Sequence, residues 1–307
     1  MKKYLKFKNQ KSKIITVIIF FSVIQSFSYS VFAQADAARE RAASSLQAHE
    51  FSLYGGGGFS SLRYQLSLSD VSGGDTDVSG NYGFDYGFGY TRFLVTRWGV
   101  HTGIGLGFYG ANALLDGSTT ITRNLADSDG DLFDLHSALS DYSESQRAIY
   151  LNIPAMLQFQ SQLDQGFYLK GGIKAGIPLV GKYESHGAKV TNTGFYPKYD
   201  NWATGQEFAG FGVFDEKSFD GNLELDVSLI FAFETGMKWR IGRNFSLYTG
   251  AYFDIGLNNA AKNQNMPFIA YSVSNAPEFT ANSVLSSFSN RTNIIAAGVK
   301  LRLAFRR

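Results

Sequence analysis

From Leu223 to Ile241 the chain alternates. One register reads Leu223, Leu225, Val227, Leu229, Phe231, Phe233, Thr235, Met237, Trp239, Ile241, and the other reads Glu224, Asp226, Ser228, Ile230, Ala232, Glu234, Gly236, Lys238, Arg240. A period of two predicts a β-strand with one apolar and one charge-rich face. Soluble strands run to about 5–6 residues, whereas a strand needs about 9–11 to cross a bilayer. The charged face cannot meet lipid, so the pattern points to a membrane barrel with that face inside.

Seven further stretches alternate in the same way. They are Phe51 to Leu68, Tyr82–Leu94, Trp98 to Tyr109, Arg147–Gln160, Phe167–Val180, Phe245–Asn258 and Asn293–Phe305. In the first, the apolar register switches near Ser60-Ser61, which predicts a β-bulge there. Connections of turn length (Val95 to Arg97, Ser161 to Gly166, Gly242 to Asn244) alternate with connections of roughly 12 to 40 residues. That alternation predicts an all-β fold, an eight-stranded antiparallel transmembrane β-barrel with short periplasmic turns and long outer loops. An even strand count leaves both termini in the periplasm. A soluble eight-stranded barrel of lipocalin type is the competing architecture, but it would bury its apolar face, and glycines and ions do not line such a cavity.

The first residues change the charge balance. Six lysines between Lys2 and Lys13 precede an apolar run from Ile14 to about Phe32, with small residues around Ala33 and Ala35. Residues 1–35 read as a secretory signal peptide, the alternative being a retained helical anchor. The whole chain has 28 basic and 26 acidic residues. Removing six lysines and no acids leaves 22 − 26 = −4, which removes the support for nucleic-acid binding. Residues 36–50 read as a periplasmic leader and 51–307 as the barrel. With no cysteine there is neither a disulfide frame nor a thiolate metal site.

The segment Tyr150-Leu151-Asn152-Ile153-Pro154-Ala155-Met156-Leu157-Gln158-Phe159 resembles a strand of the outer-membrane β-barrel family common in Bacteroidetes, which includes the PorT-like proteins. The hairpin Gly87–Gly107, with Arg97-Trp98-Gly99 at its turn, is similar to the preceding hairpin of that family. The last strand, with Gly298, Leu301 and Leu303, resembles a barrel-insertion signal, although the chain ends Phe305-Arg306-Arg307 and Ala296 stands where a polar residue is usual. The resemblance implies a location in the cell outer membrane, in contact with its lipid and lipopolysaccharide, and an association with envelope or secretion-complex proteins. It implies no activity.

Candidate chemistry falls in three places. The lumen set is Asp85, His101, Lys170, Lys174, Glu224, Asp226, Glu234, Lys238, Arg240, Asp254, Lys300 and Arg302. In a barrel this narrow, these charges are expected to pair as a plug, the other reading being an ion path. Asp127, Asp129 and Asp131 in the second long loop are hard oxygen ligands that suit calcium. Leu132 and Ala138 stand where an EF-hand needs glycine and glutamate, so a solvated acidic loop is the alternative and no resident cofactor is expected. In the third long loop Tyr196, Tyr199 and Trp202, with Phe195, Phe208, Phe211 and Phe214, form either a partner-binding platform or a cap over the barrel mouth. His101, His136 and His186 show no triad spacing. The expected function is therefore non-enzymatic: a monomeric scaffold or interaction barrel. A narrow uptake barrel and a lipid A-modifying enzyme are the alternatives.

Overall fold

The computed structural model describes residues 49–66, 71–95, 97–161, 165–262, 266–271 and 279–307. The expected export segment, and the leader as far as residue 48, lie outside the described residues. Eight long strands carry the architecture: β1 His49–Leu66, β2 Asp75–Phe93, β3 Trp98–Asp116, β4 Tyr142–Gln160, β5 Gly166–Tyr196, β6 Ser228–Arg240, β7 Phe245–Gly256 and β8 Ser289–Arg306. Each pairs antiparallel with its neighbour in sequence, and β8 pairs with β1, so the eight follow one another around a ring. His49 and Glu50, expected in the leader, are the first residues of β1.

The alternation is resolved as expected on both faces. Phe51, Leu53, Phe88, Ile104, Leu157, Phe231, Val299 and Leu301 are exposed on the outer face, while Asp85, Lys170, Lys174, Glu234, Asp254, Lys300 and Arg302 are buried. An aqueous outer surface would not carry such a band of large apolar side chains. Trp98, Trp239, Phe245 and Phe305 are exposed near the short-turn end, where aromatic rings suit a membrane interface.

Three expectations are corrected. First, β1 has no bulge at Ser60-Ser61: its pairing with β8 runs unbroken from Glu50 to Tyr64 and slips only between Tyr64 and Leu66. Ser52, Tyr54, Ser60, Leu62 and Tyr64 all point inward, and Arg63 is exposed. The change of register in the sequence is a change of environment, because the interior turns from polar to apolar as β1 rises.

Second, the strand expected over residues 223–241 is regular only from Ser228 to Arg240. Leu223 is buried against the far end, and Leu225 makes an isolated bridge to Ala261. Of the expected lumen set, Glu224 is therefore exposed and Asp226 half-buried outside the ring strands, while Arg240, at the short-turn end of β6, is exposed and bonds to the turn carbonyls of Gly242 and Arg243.

Third, the second and third long connections are largely strand. β5 runs for 31 residues, and its upper half is flanked by Leu132–Ser140 on one side and Gly212–Asn222 on the other. Ser118–Ala126 pairs with Leu132–Ser140, extending the same sheet. Inside this extension lies an apolar cluster that includes Leu62, Leu115, Leu135, Leu139, Val190, Ile230, Leu285 and Ile294.

Candidate functional site

Two layers occupy the interior, one above the other, and a third group of residues crowns the far end. The lower layer is a network of ion pairs between strands that are mostly not neighbours. Lys174 on β5 reaches Asp254 on β7 at 2.6 Å and Asp85 on β2 at 3.4 Å. Lys300 on β8 meets the same Asp85 oxygen at 2.6 Å. Lys170 pairs with Glu234 at 2.9 Å, and Tyr168 donates to that carboxylate at 2.9 Å. Lys238 pairs with Glu50 at 2.8 Å, and Tyr248 donates to Glu50 at 2.6 Å. Charged groups buried inside such a wall are tolerated where each finds a partner and further hydrogen bonds. The alternation rule for β1, carried two residues earlier, reaches Glu50; the apparent leader hid it. His101 is buried on the same face and bonds to Thr91 at 2.8 Å.

The upper layer is the apolar cluster, closed by a segment that ends in the short helix Val284–Phe288. One carboxylate anchors this segment. Glu144 on β4 is fully buried and accepts from Tyr142 Oη at 2.9 Å, Gln146 Nε2 at 2.7 Å, Ser283 Oγ at 2.5 Å and the Val284 backbone N–H at 3.0 Å. A span of about 9–11 residues counted up from Gln160 ends near Tyr150, so Glu144 stands beyond the membrane-crossing part of its strand. Burial pushes its carboxyl above the ordinary glutamate value, while the four donors pull the other way.

The crown joins two stretches that looked separate in sequence. Asp127 Oδ1 accepts from the backbone N–H groups of Asp129 and Asp131, each at 2.9 Å, which shapes its own turn. Asp131 accepts from Lys198 Nζ at 2.7 Å and from Tyr199 Oη at 2.6 Å, so the acidic turn and the aromatic segment are clamped together. Those two donors hold the Asp131 carboxyl below its usual range. Among the described residues no group of three or more His, Asp or Glu side chains is arranged to hold a metal ion.

The aromatic set divides by role. Phe211 is buried edge-on against Phe133, and Tyr196 stacks on Phe133 at 5.3 Å, so these rings cap the cluster beneath. Trp202 rests on Phe195 and His136 yet is 51 % exposed, while Tyr199 is 55 % and Phe208 79 % exposed. Phe211 and Tyr196 thus take the capping position, while Tyr199, Trp202 and Phe208 leave aromatic surface open above it.

The model of the outer membrane protein beta-barrel domain matches residues 32–262. No curated protein matches. Among solved structures, OprG from Pseudomonas aeruginosa is similar at 11 % identity over 85 % of this chain and 97 % of its own, with a TM-score of 0.36. Ail of Yersinia pestis is similar at 11 % identity over 85 % and 99 %, with a TM-score of 0.27. The outer membrane protease OmpT from Escherichia coli is similar at 10 % identity over 86 % and 98 %, with a TM-score of 0.31.

Proposed function

Because this chain belongs to the outer membrane protein beta-barrel domain family and so is an integral outer-membrane protein, we propose that it forms a closed eight-stranded barrel that displays a partner-binding crown outside the cell. The short turns and both termini lie in the periplasm in this reading, as short turns do in outer-membrane barrels. The lipid of the outer membrane, lipopolysaccharide included, faces the exposed apolar band. The partner is a protein of the envelope or the cell exterior, and a PorT-like role beside a secretion apparatus is one form this takes.

The observation that carries the proposal is the crown itself. Tyr199, Trp202 and Phe208 are exposed on a strand-built extension that is rigidly clamped through Asp131. Exposed aromatics on a rigid base are what interface hot spots are made of. A non-enzymatic role fits the four histidines, which are spread over unrelated pairings with Tyr90, Thr91, Trp202 and Glu184. A role without calcium fits Asp131, whose two oxygens already serve Lys198 and Tyr199.

The test is a photo-crosslinking residue placed at Trp202 in intact cells, with the same residue at Leu301 on the lipid face as control. The expected result is a discrete protein adduct from position 202 alone, lost when Tyr199 and Phe208 are both changed to alanine. Adducts with lipid only, at both positions, would overturn the interaction role.

A further inference from the structure

Arg302 lies on β8 in the ion-pair layer and is 1 % exposed. Its Nη1 donates to Gln158 Oε1 at 2.9 Å. The guanidinium carbon sits 3.8 Å from the centre of the Tyr248 ring, with the Tyr168 ring at 5.3 Å. Aromatic rings against its flat face leave the cation only its edges for hydrogen bonding. Gln158 takes one edge. Nε and Nη2, which form the other edge with parallel N–H bonds, have no hydrogen-bond partner among the described residues.

An edge of this kind is the fork that grips a carboxylate-like or halide anion with two hydrogen bonds. Each of the four lumen lysines meets a carboxylate directly, whereas the hydrogen bond of Arg302 goes to a neutral amide. Among the described residues the layer holds five buried bases against four buried carboxylates, a formal surplus of 5 − 4, or one positive charge. A water molecule would satisfy the fork but leave the surplus charge; an anion answers both. We propose that the lumen binds one small monovalent anion, a halide or a planar oxyanion, on the Nε–Nη2 edge of Arg302. The anion is the missing partner of the network and is held in place by it.

Bromide is the probe. Crystals of the full chain grown in bromide should show one anomalous peak within hydrogen-bonding reach of Arg302 Nε and Nη2. No peak there would overturn the proposal, since water would then fill the role. In solution, bromide replacing gluconate at constant ionic strength should raise the unfolding temperature of the wild-type protein in proportion to the logarithm of its concentration. Arg302→Met should abolish that rise. An equal rise in the variant would place the binding elsewhere and also overturn the proposal. Should Arg302→Met not fold, the wild-type titration and the anomalous map decide the matter by themselves.

Discussion

Glu144 shows how much one side chain can hold together. It is buried, has no counter-ion among the described residues, and gathers four donors from β4 and from the segment that closes the barrel mouth. Glu144→Ala strands those donors in an apolar cluster. Buried unsatisfied groups cost about 1–3 kcal/mol each, and relaxation recovers part of this, so a loss of about 3 kcal/mol is expected in urea unfolding. An unchanged midpoint would show that the carboxylate anchors nothing. The pH dependence has a definite sign. Because burial raises the folded-state pKa above the unfolded one, the folded form binds the extra proton. Its contribution is fully present below the unfolded value of about 4.3 and is lost as pH rises through the raised one. Hydrogen exchange at Val284–Phe288, corrected for intrinsic rates, should therefore slow as the medium is acidified, and Glu144→Gln should remove the effect.

At the scale of the strands, the alternation of glycine with aromatic residues on β2 and with mostly aliphatic ones on β3 has a physical cause. The aromatics face outward, and the inward glycines make room for tyrosines that reach across the lumen. A methyl group built on Gly105 meets the hydroxyl of Tyr54, and one on Gly87 comes within 2.8 Å of the same hydroxyl. Gly105→Ala should therefore cost about 1–3 kcal/mol by overpacking, read as a smaller heat-modifiable folded fraction on semi-native gels. Adding Tyr54→Phe should restore much of that fraction; a double variant no better than the single one would put the strain elsewhere. The eight ring strands, and which residues of each turn inward, were legible in the period of two, because the two faces meet opposite chemistry on alternate residues, but their bounds and the further strands of the long connections were not. The upper storey was not legible. Above the membrane the outer face meets water and the inner face an apolar cluster, so Leu62 and Tyr64 kept their inward register while seeming to change it. Leu223 and Leu225 extended an alternation whose cause had already ended. Of the crown, the exposed rings were readable as a group, but the clamp from Lys198 and Tyr199 to Asp131 joins residues 67 and 68 positions apart, which no local pattern records.

For the whole molecule the two interior layers act in series, and that decides what passes. A permeating ion would first have to displace the apolar cluster under the crown. It would then have to part ion pairs such as Lys174–Asp254 and Lys300–Asp85, each at 2.6 Å, that tie non-neighbouring strands together. An eight-stranded ring is only just wide enough to be filled by its side chains. In planar bilayers at molar salt the purified protein should show no stable steps of porin size. The layered interior makes a sharper claim than a simple plug would. Glu144→Ala, which frees the upper closure, should leave the bilayer silent, because the ion-pair layer still bars the lumen. Asp85→Ala, which takes the close partner from Lys300 and the weaker of two partners from Lys174 below an intact cap, should be silent as well while losing about 3–5 kcal/mol of stability, since it leaves buried charge poorly compensated. Only the two changes together should give flickering conductance. Stable steps from either single variant would mean that one layer alone closes the barrel, and that the other serves stability without gating anything.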